Sequence, residues 1–447
     1  MNKLKTLIVI LSLFFVITTA TFTEGNKESL TNWTVMYYIC GETGGMDAYA
    51  NLLMENLSKI GSGPNFNLIV LVDGPRYNDS RILYFDRDGQ TVILNDVMGW
   101  PSEVDMSSGV TFERFCRDVM QTFPSKYYAF ITFASGATGW KWYTFNDRKG
   151  RGLNLSDFAK SLEIVTCGGS RKIDVLFTSC CMSSIELSYE IYPYVSYLVT
   201  TQEHIAGYDL IKRYYQPVWL LKNNSNLDPE SFARLSAEIY EPITFEYFTS
   251  YGYKISPITK VLNKLPFPKL HTVLMNSSVV VINLSKVPPL VREIDNLSTF
   301  LILHAYDGKT RKEIKLARDE VKEFGKAWPK LWESPILNIV YRHFPIYILS
   351  YNCRIDLYDF AHRLKDITDN HKLKTICQNL MDKINSSIVM IKKFRGDRSY
   401  GFNIFFPKTK IMYMIHSVHR KEPFSRYEDL EFSKNTRWDD FLKIYLS

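Results

Sequence analysis

An α/β fold is what the sequence predicts: a doubly wound, mostly parallel sheet flanked by helices, with a more helical second half. Three observations carry that expectation. Short apolar, β-branched or aromatic runs recur at 34–40, 67–73, 81–86, 128–134, 174–180 and 197–203. Several are apolar almost throughout, the pattern of strands covered on both faces. Amphipathic stretches at 46–60, 111–123, 154–165 and 182–193 lie between them. Strands alternating with helices imply parallel pairing and a ligand site beyond the carboxyl ends of the strands. The second half reads differently. A strand at 279–284 runs into a long helix, residues 311–327 and 357–393 continue with helical periodicity, and "YGFNIFFP" (400–407) is one more strand before a polar tail.

Length and composition set the frame. A chain of 447 residues with 46% hydrophobic and 14% aromatic residues is globular and large enough for one big domain or two ordinary ones. The Pro-containing stretch "SPITKVLNKLPFPKL" marks a soft boundary near 260–275. It divides an α/β core (30–265) from a C-terminal α/β extension (266–447) packed on it. The net charge of +7 is spread over 54 Lys and Arg against 47 Asp and Glu, with no basic block of the kind that tracks nucleic acid.

The N-terminus has the form of a leader. Lys3 and Lys5 precede an apolar run from Leu7 to Ile17, and "TTATFT" with Ala20 follows. A charged start, a short apolar run and small residues make a secretory signal peptide over 1–22. The mature chain is then secreted or lumenal, and no later segment is apolar enough to span a membrane. Nine N-x-S/T sequons, at Asn32, Asn56, Asn78, Asn154, Asn223, Asn276, Asn283, Asn296 and Asn385, suit such a glycoprotein. Seven cysteines leave at least one unpaired, and none has zinc-site spacing, so neither metal nor cofactor is expected. Either Cys180 or Cys181 could pair with Cys40 or Cys167 in an oxidising compartment.

Chemistry-bearing residues gather at the expected strand ends: Cys40, Asp73, Ser135, Cys180 and Glu203. Cys180 is the best nucleophile, because a strand-end cysteine entering a helix meets the positive end of the helix dipole, which favours thiolate. The small-residue turn from Gly136 to Gly139 could offer backbone N–H groups to an oxyanion. The plainer reading is that Cys180 and Cys181 are small buried hydrophobes, the commonest fate of a free cysteine.

The residues around these ends resemble the clostripain family of cysteine peptidases, of the caspase–haemoglobinase fold. Members carry a strand ending His-Gly with a nearby Gly-Trp, then a strand ending Phe-Asp-Ala-Cys-Leu-Met. Here "LFTSCCMSSIE" is similar at Phe177, Cys180, Met182 and Glu186. "WTVMYYICGETG", "YLVTTQEHIAGYD", "VVVINLSKVPPLVREIDNL", "GFNIFFP" and "WDDFLKIY" resemble further family segments, in the family's order. The resemblance implies a peptide or protein ligand and Cys180 as the nucleophile. It also places Gly136 in the oxyanion turn, puts Thr178, Glu203 and Asp209 about the substrate pocket, and marks 145–154 as a segment clipped in some relatives.

The departures are as specific as the matches. The family's catalytic His falls on Ser135, or on Gly136 with a one-residue shift, and no histidine occurs before His204. The family's Asp for a basic substrate side chain is Thr178, which cannot offer a guanidinium a charged partner. Positioned acid–base catalysis is typically worth about 10²–10⁴-fold, and a serine hydroxyl does not supply it near neutral pH. The expectation is a secreted, monomeric peptidase homologue, impaired or inactive, that binds peptide or protein and neither nucleic acid nor membrane. The alternative is a working endopeptidase in which His204 is the base. A carbohydrate-binding surface protein has no support beyond secretion and aromatic content.

Overall fold

The computed structural model describes residues 30–42, 46–134, 139–146, 151–178, 181–202, 207–240, 278–324, 353–393, 397–417 and 426–447. Its strands are β1 (Thr31–Cys40), β2 (Phe66–Asp73), β3 (Arg81–Phe85), β4 (Thr91–Ile93), β5 (Ser125–Phe133), β6 (Trp142–Asn146) and β7 (Arg151–Asn154). They continue as β8 (Ile173–Phe177), β9 (Val195–Thr201), β10 (Val279–Asn283), β11 (Arg354–Asp356), β12 (Ile388–Lys392) and β13 (Asn403–Phe405). Nine of them form one sheet in the order β12-β10-β9-β8-β5-β1-β2-β3-β4. The five central strands, β9 to β2, pair in parallel, while both margins are antiparallel. The sheet is therefore mixed with a parallel centre, as the apolar runs predict.

The helices are α1 (Met46–Ile60), α2 (Gly109–Thr122), α3 (Leu155–Val165), α4 (Ile185–Ile191), α5 (Gly207–Asn223), α6 (Pro229–Glu238) and α7 (Val287–Leu303). Further along come α8 (Gly308–Glu320), α9 (Leu357–Ile367), α10 (His371–Ser387), α11 (Lys410–Ser417), α12 (Glu431–Lys434) and α13 (Trp438–Tyr445). They cover both faces of the sheet. One face packs Val35, Tyr37 and Ile39 of β1 against α1, α5 and α6. The other packs Met36 and Tyr38 against α2, whose Phe112, Phe115, Cys116, Val119 and Met120 recur at helical spacing, and extends through α3, α4, α7, α9 and α10. Burying each such side chain contributes about 1.5–3 kcal/mol.

Local chemistry explains where the expected elements were cut or lengthened. The predicted helix over 357–393 is two helices and a strand. It breaks at Thr368–Asn370, where the Asn370 side chain caps α10 by accepting from Leu373 N. The remaining "IVMIK" is β-branched enough to pair with β10. Asp307 caps α8, so that helix starts three residues before the predicted 311 and ends at Glu320. The stretch 145–154, which the resemblance marks as clipped in some relatives, holds much of an antiparallel ribbon of β6 and β7, with 147–150 outside the described residues. The strand at 400–407 shortens to β13 and pairs with β11 in a separate two-stranded sheet. The proposed boundary at 260–275 also lies outside the described residues, and β10 and β12 from beyond it complete the main sheet.

Candidate functional site

The parallel centre fixes where a site belongs. From β1 the chain steps to β2 on one side, then returns to place β5 on the other side of β1, followed outward by β8 and β9. Strand order reverses between β1 and β5, and ligands of open α/β sheets bind beyond the carboxyl ends at such a point. The strand-end residues there are Cys40, Asp73, Ala134, Thr178 and Gln202.

Ser135, Gly136, Cys180, Glu203 and His204 lie outside the described residues, but their flanks do not. Residues 135–138 leave from β5 and 179–180 from β8, which are neighbours in register at Ile131↔Phe177. Residues 203–206 leave from β9, which pairs with β8 at Phe177↔Val199. Three adjacent parallel strands thus carry the three segments on which the nucleophile, base and substitute base were placed. Asp209 falls in the first turn of α5, immediately after the third segment.

The flanks are held by a buried polar frame. Thr178 is wholly buried and donates to Thr200 Oγ1 at 2.8 Å, while its carbonyl accepts from Tyr214 Oη at 3.1 Å. Cys181 has φ of 65° and donates its N–H to Thr201 Oγ1 at 3.2 Å. Its carbonyl accepts from the buried Arg354 Nη1 at 2.7 Å. Ser184 Oγ donates to Gly139 O at 3.0 Å and accepts from Leu187 N at 3.1 Å, so one hydroxyl both caps α4 and ties down Gly139. Gly139 itself has φ of 87°, and a Cβ there would meet Arg354 Cδ at 3.2 Å. The positive φ favours glycine, and the close Arg354 side chain adds to that preference.

Gln202 closes the frame from β9. Its Nε2 donates to Asp356 Oδ2 at 2.9 Å and Asn403 Oδ1 at 3.0 Å, and its Oε1 accepts from Gly401 N at 2.6 Å. Asn403 N donates to Ser183 O at 2.7 Å. Through these bonds the small β11–β13 sheet braces the rim from behind. Burial raises Asp356 to about 6, and burial raises Glu186 to about 7 although Glu186 accepts from Phe405 N and Tyr427 Oη, each at 2.9 Å. The side chains of Arg354, Asp356, Gln202, Ser184 and Asn403 were not singled out from sequence. The available signal was that Ser184, Gln202 and Asn403 fall in quoted family-like segments.

One expected electrostatic feature is relocated. Helix α4 begins at Ile185 with Ser184 as its cap, not at 182 as predicted, so four residues separate Cys180 from the helix. Cys180 itself lies outside the described residues. Cys40, Cys167 and Cys181 are free thiols, so none of the disulfides considered for them is present. Burial pushes the Cys40 thiol well above its ordinary value, assisted by the nearby Asp73 charge.

Beside Cys40, Glu42, Asp73 and Glu103 bring carboxylate oxygens within 4.8 Å of one another. Among the described residues these are the donors that could hold a hard cation. Asp73 is buried and accepts from Ser80 Oγ at 2.5 Å. Burial raises it to about 7 against the opposing Ser80 bond, and the charges of Glu42 and Glu103 add to the rise. Described histidines sit elsewhere. The His304 ring stacks on Phe300 at the end of α7, His362 pairs with Asp366 at 3.2 Å, His371 opens α10, and His416 lies in α11.

Comparison with known proteins agrees with this geometry. The sequence profile of the Clostripain family matches residues 37–445, and the chain belongs to that family. Its fold is similar to an inactive zymogen protease from Parabacteroides distasonis, with a TM-score of 0.59 and 13% identity over 92% of this chain and 99% of that one. A secreted cysteine protease from Bacteroides thetaiotaomicron, solved with an irreversible peptide inhibitor, gives 0.54 and 13% identity over 84% and 93%. The Bacteroides thetaiotaomicron protease described as iotapain gives 0.52 and 13% over 91% and 100%. No curated protein matches the chain. Among the described residues, no helix is long and apolar enough to cross a membrane.

Proposed function

We propose that this clostripain-family chain is a peptide-binding protein whose peptidase chemistry is impaired, with Cys180 at the nucleophile position and Ser135 where the family carries its catalytic histidine. The observation that carries the reading is the absence of any histidine before His204 in a chain that otherwise keeps the family's segments in order. A thiol without a positioned acid–base partner loses about 10²–10⁴-fold in rate. The braced rim supports peptide binding, because Arg354, Ser184 and Gln202 hold the flanks of all three rim segments without help from a ligand. A peptide inhibitor bound to the Bacteroides thetaiotaomicron protease is consistent with the same class of ligand here. The leader-like N-terminus and the sequons support a glycoprotein outside the cytosol, and residues 147–150, between β6 and β7, are where it would be clipped.

The competing reading, an active endopeptidase using His204, is favoured by one fact. The segment 203–206 follows the strand next to β8, so a base could reach the rim from that side. One assay separates them. Purified protein is incubated with peptides carrying Arg, Lys or a neutral residue before the scissile bond, and separately with a thiol-reactive peptide probe. The expected result is labelling at Cys180 without turnover, and turnover rising by about 10²–10⁴-fold in Ser135→His. Turnover in the unaltered protein that Cys180→Ala abolishes would overturn the proposal, and its further loss in His204→Ala would assign the base.

A further inference from the structure

A second site lies away from the rim. A groove of about 490 Å³ runs between α8, the segment after β13 and the end of α13. Arg311, Lys312, Lys315 and Arg318 line it from α8, and Lys408 and Lys410 line it from the other wall. Asp319 is the one carboxylate of the lining. The whole chain has a net charge of only +7, so this groove holds much of the excess. Arg311, Lys315 and Arg318 follow one helical face and span about 10 Å along the axis.

The cations differ in how far they are committed. Arg311 Nη2 donates to Tyr445 O at 2.7 Å, and Lys408 reaches Glu323 at 3.2 Å and Asp319 at 3.9 Å. Lys312, Lys315 and Lys410 are exposed and have no ion-pair partner among the described residues. Arg318 is 2% exposed, pairs with Glu323 through Nη1 and donates from Nε to Phe406 O at 2.8 Å. Its Nη2 is buried without a hydrogen-bond partner. A guanidinium edge left unmatched in a protein interior is costly unless something accepts from it. Here it belongs to a side chain that lines a pocket of cations.

We propose that this groove binds a small ligand carrying two or more phosphate or sulfate groups. Tetrahedral oxyanions match a guanidinium fork and the ammonium groups around it. The groove's short span fits two or three such groups, not a nucleic-acid track. This inference does not depend on whether Cys180 cleaves peptides.

The test is calorimetric titration of the full chain at about 50 mM salt, where charge contacts are weakly screened, with inorganic pyrophosphate and with a heparin-derived hexasaccharide. The expected result is saturable one-to-one binding of at least one probe. Pyrophosphate alone indicates a phosphate ligand, and the hexasaccharide indicates a sulfated sugar. Lys312→Ala/Lys315→Ala/Lys410→Ala should weaken binding at least tenfold, while Lys160→Ala/Lys383→Ala, on other helices, should not. Thermal unfolding checks that the triple variant is folded, and Lys410→Glu alone serves if it is not. Saturation by neither probe, undiminished binding in the folded triple variant, or tighter binding of duplex DNA at equal phosphate concentration would overturn the proposal.

Discussion

The two halves of the strand-end rim treat buried polar groups in opposite ways. At β8 and β9 the amide and guanidinium that brace the rim meet complements: Gln202 spans Asp356, Asn403 and Gly401, and Arg354 meets the Cys181 carbonyl. At β1 and β2, carboxylates of Glu42, Asp73 and Glu103 crowd together instead. In a low-dielectric interior a satisfied network fixes one geometry, whereas crowded like charges store repulsion. The first arrangement braces segments that must stay in place. The second makes the neighbouring end of the sheet sensitive to protons.

The largest break in that comparison is Arg354→Met. It removes the donor to Cys181 O and the positive charge that favours ionised Glu186. Losing one side of such buried electrostatics costs about 3–5 kcal/mol. Urea denaturation should show the unfolding free energy falling by that amount, and labelling of Cys180 by the peptide probe should slow because the segment is no longer held. A variant as stable as the unaltered chain would mean that the brace contributes only shape.

Much of this architecture was legible in sequence, and for a definite reason. Strands such as "NLIVLVD" and "DVLFTSC" are apolar on both faces, so their burial between helix layers follows from composition alone. The N-caps at Asn370 and Asp307 are short-range signals that could have split and extended the second-half helices. The brace was not legible. Gln202 meets Asn403 across 201 residues and Arg354 meets Cys181 across 173, and no local pattern marks such pairs. Thr178 shows the same limit from the other direction. Its type suggests a lost specificity contact, but no local pattern marks the bond that its side chain donates to Thr200.

Asp73→Asn sharpens the other half of the comparison. Burial and then its acidic neighbours raise the Asp73 carboxyl to about 7, above its unfolded value near 3.8. Between those pH values the folded state holds a proton that the unfolded state has released. Stability contributed by this group is therefore complete below about pH 4 and is lost as pH rises toward 7. Asparagine keeps an acceptor for Ser80 without the charge. The variant should gain on the order of 2 kcal/mol at pH 8 relative to the unaltered chain and gain little at pH 4. Denaturation midpoints at the two pH values measure this. Equal shifts at both would show that Asp73 is not titrating in that range.

The smallest expected effect tests whether the rim is braced at a single hydroxyl. Ser184 Oγ accepts from Leu187 N and donates to Gly139 O. Ser184→Ala removes the cap and the tie together, and an N-cap loss of this kind costs about 1 kcal/mol. Ser184→Gly is the informative partner, since glycine at a cap costs only a few tenths of a kcal/mol yet equally lacks the bond to Gly139. If the tie matters to the site, both variants should lose peptide-probe labelling of Cys180 to a similar degree while differing in stability. If labelling instead tracks stability, Ser184 serves α4 alone, and the hold on Gly139 comes from Arg354 packed against it.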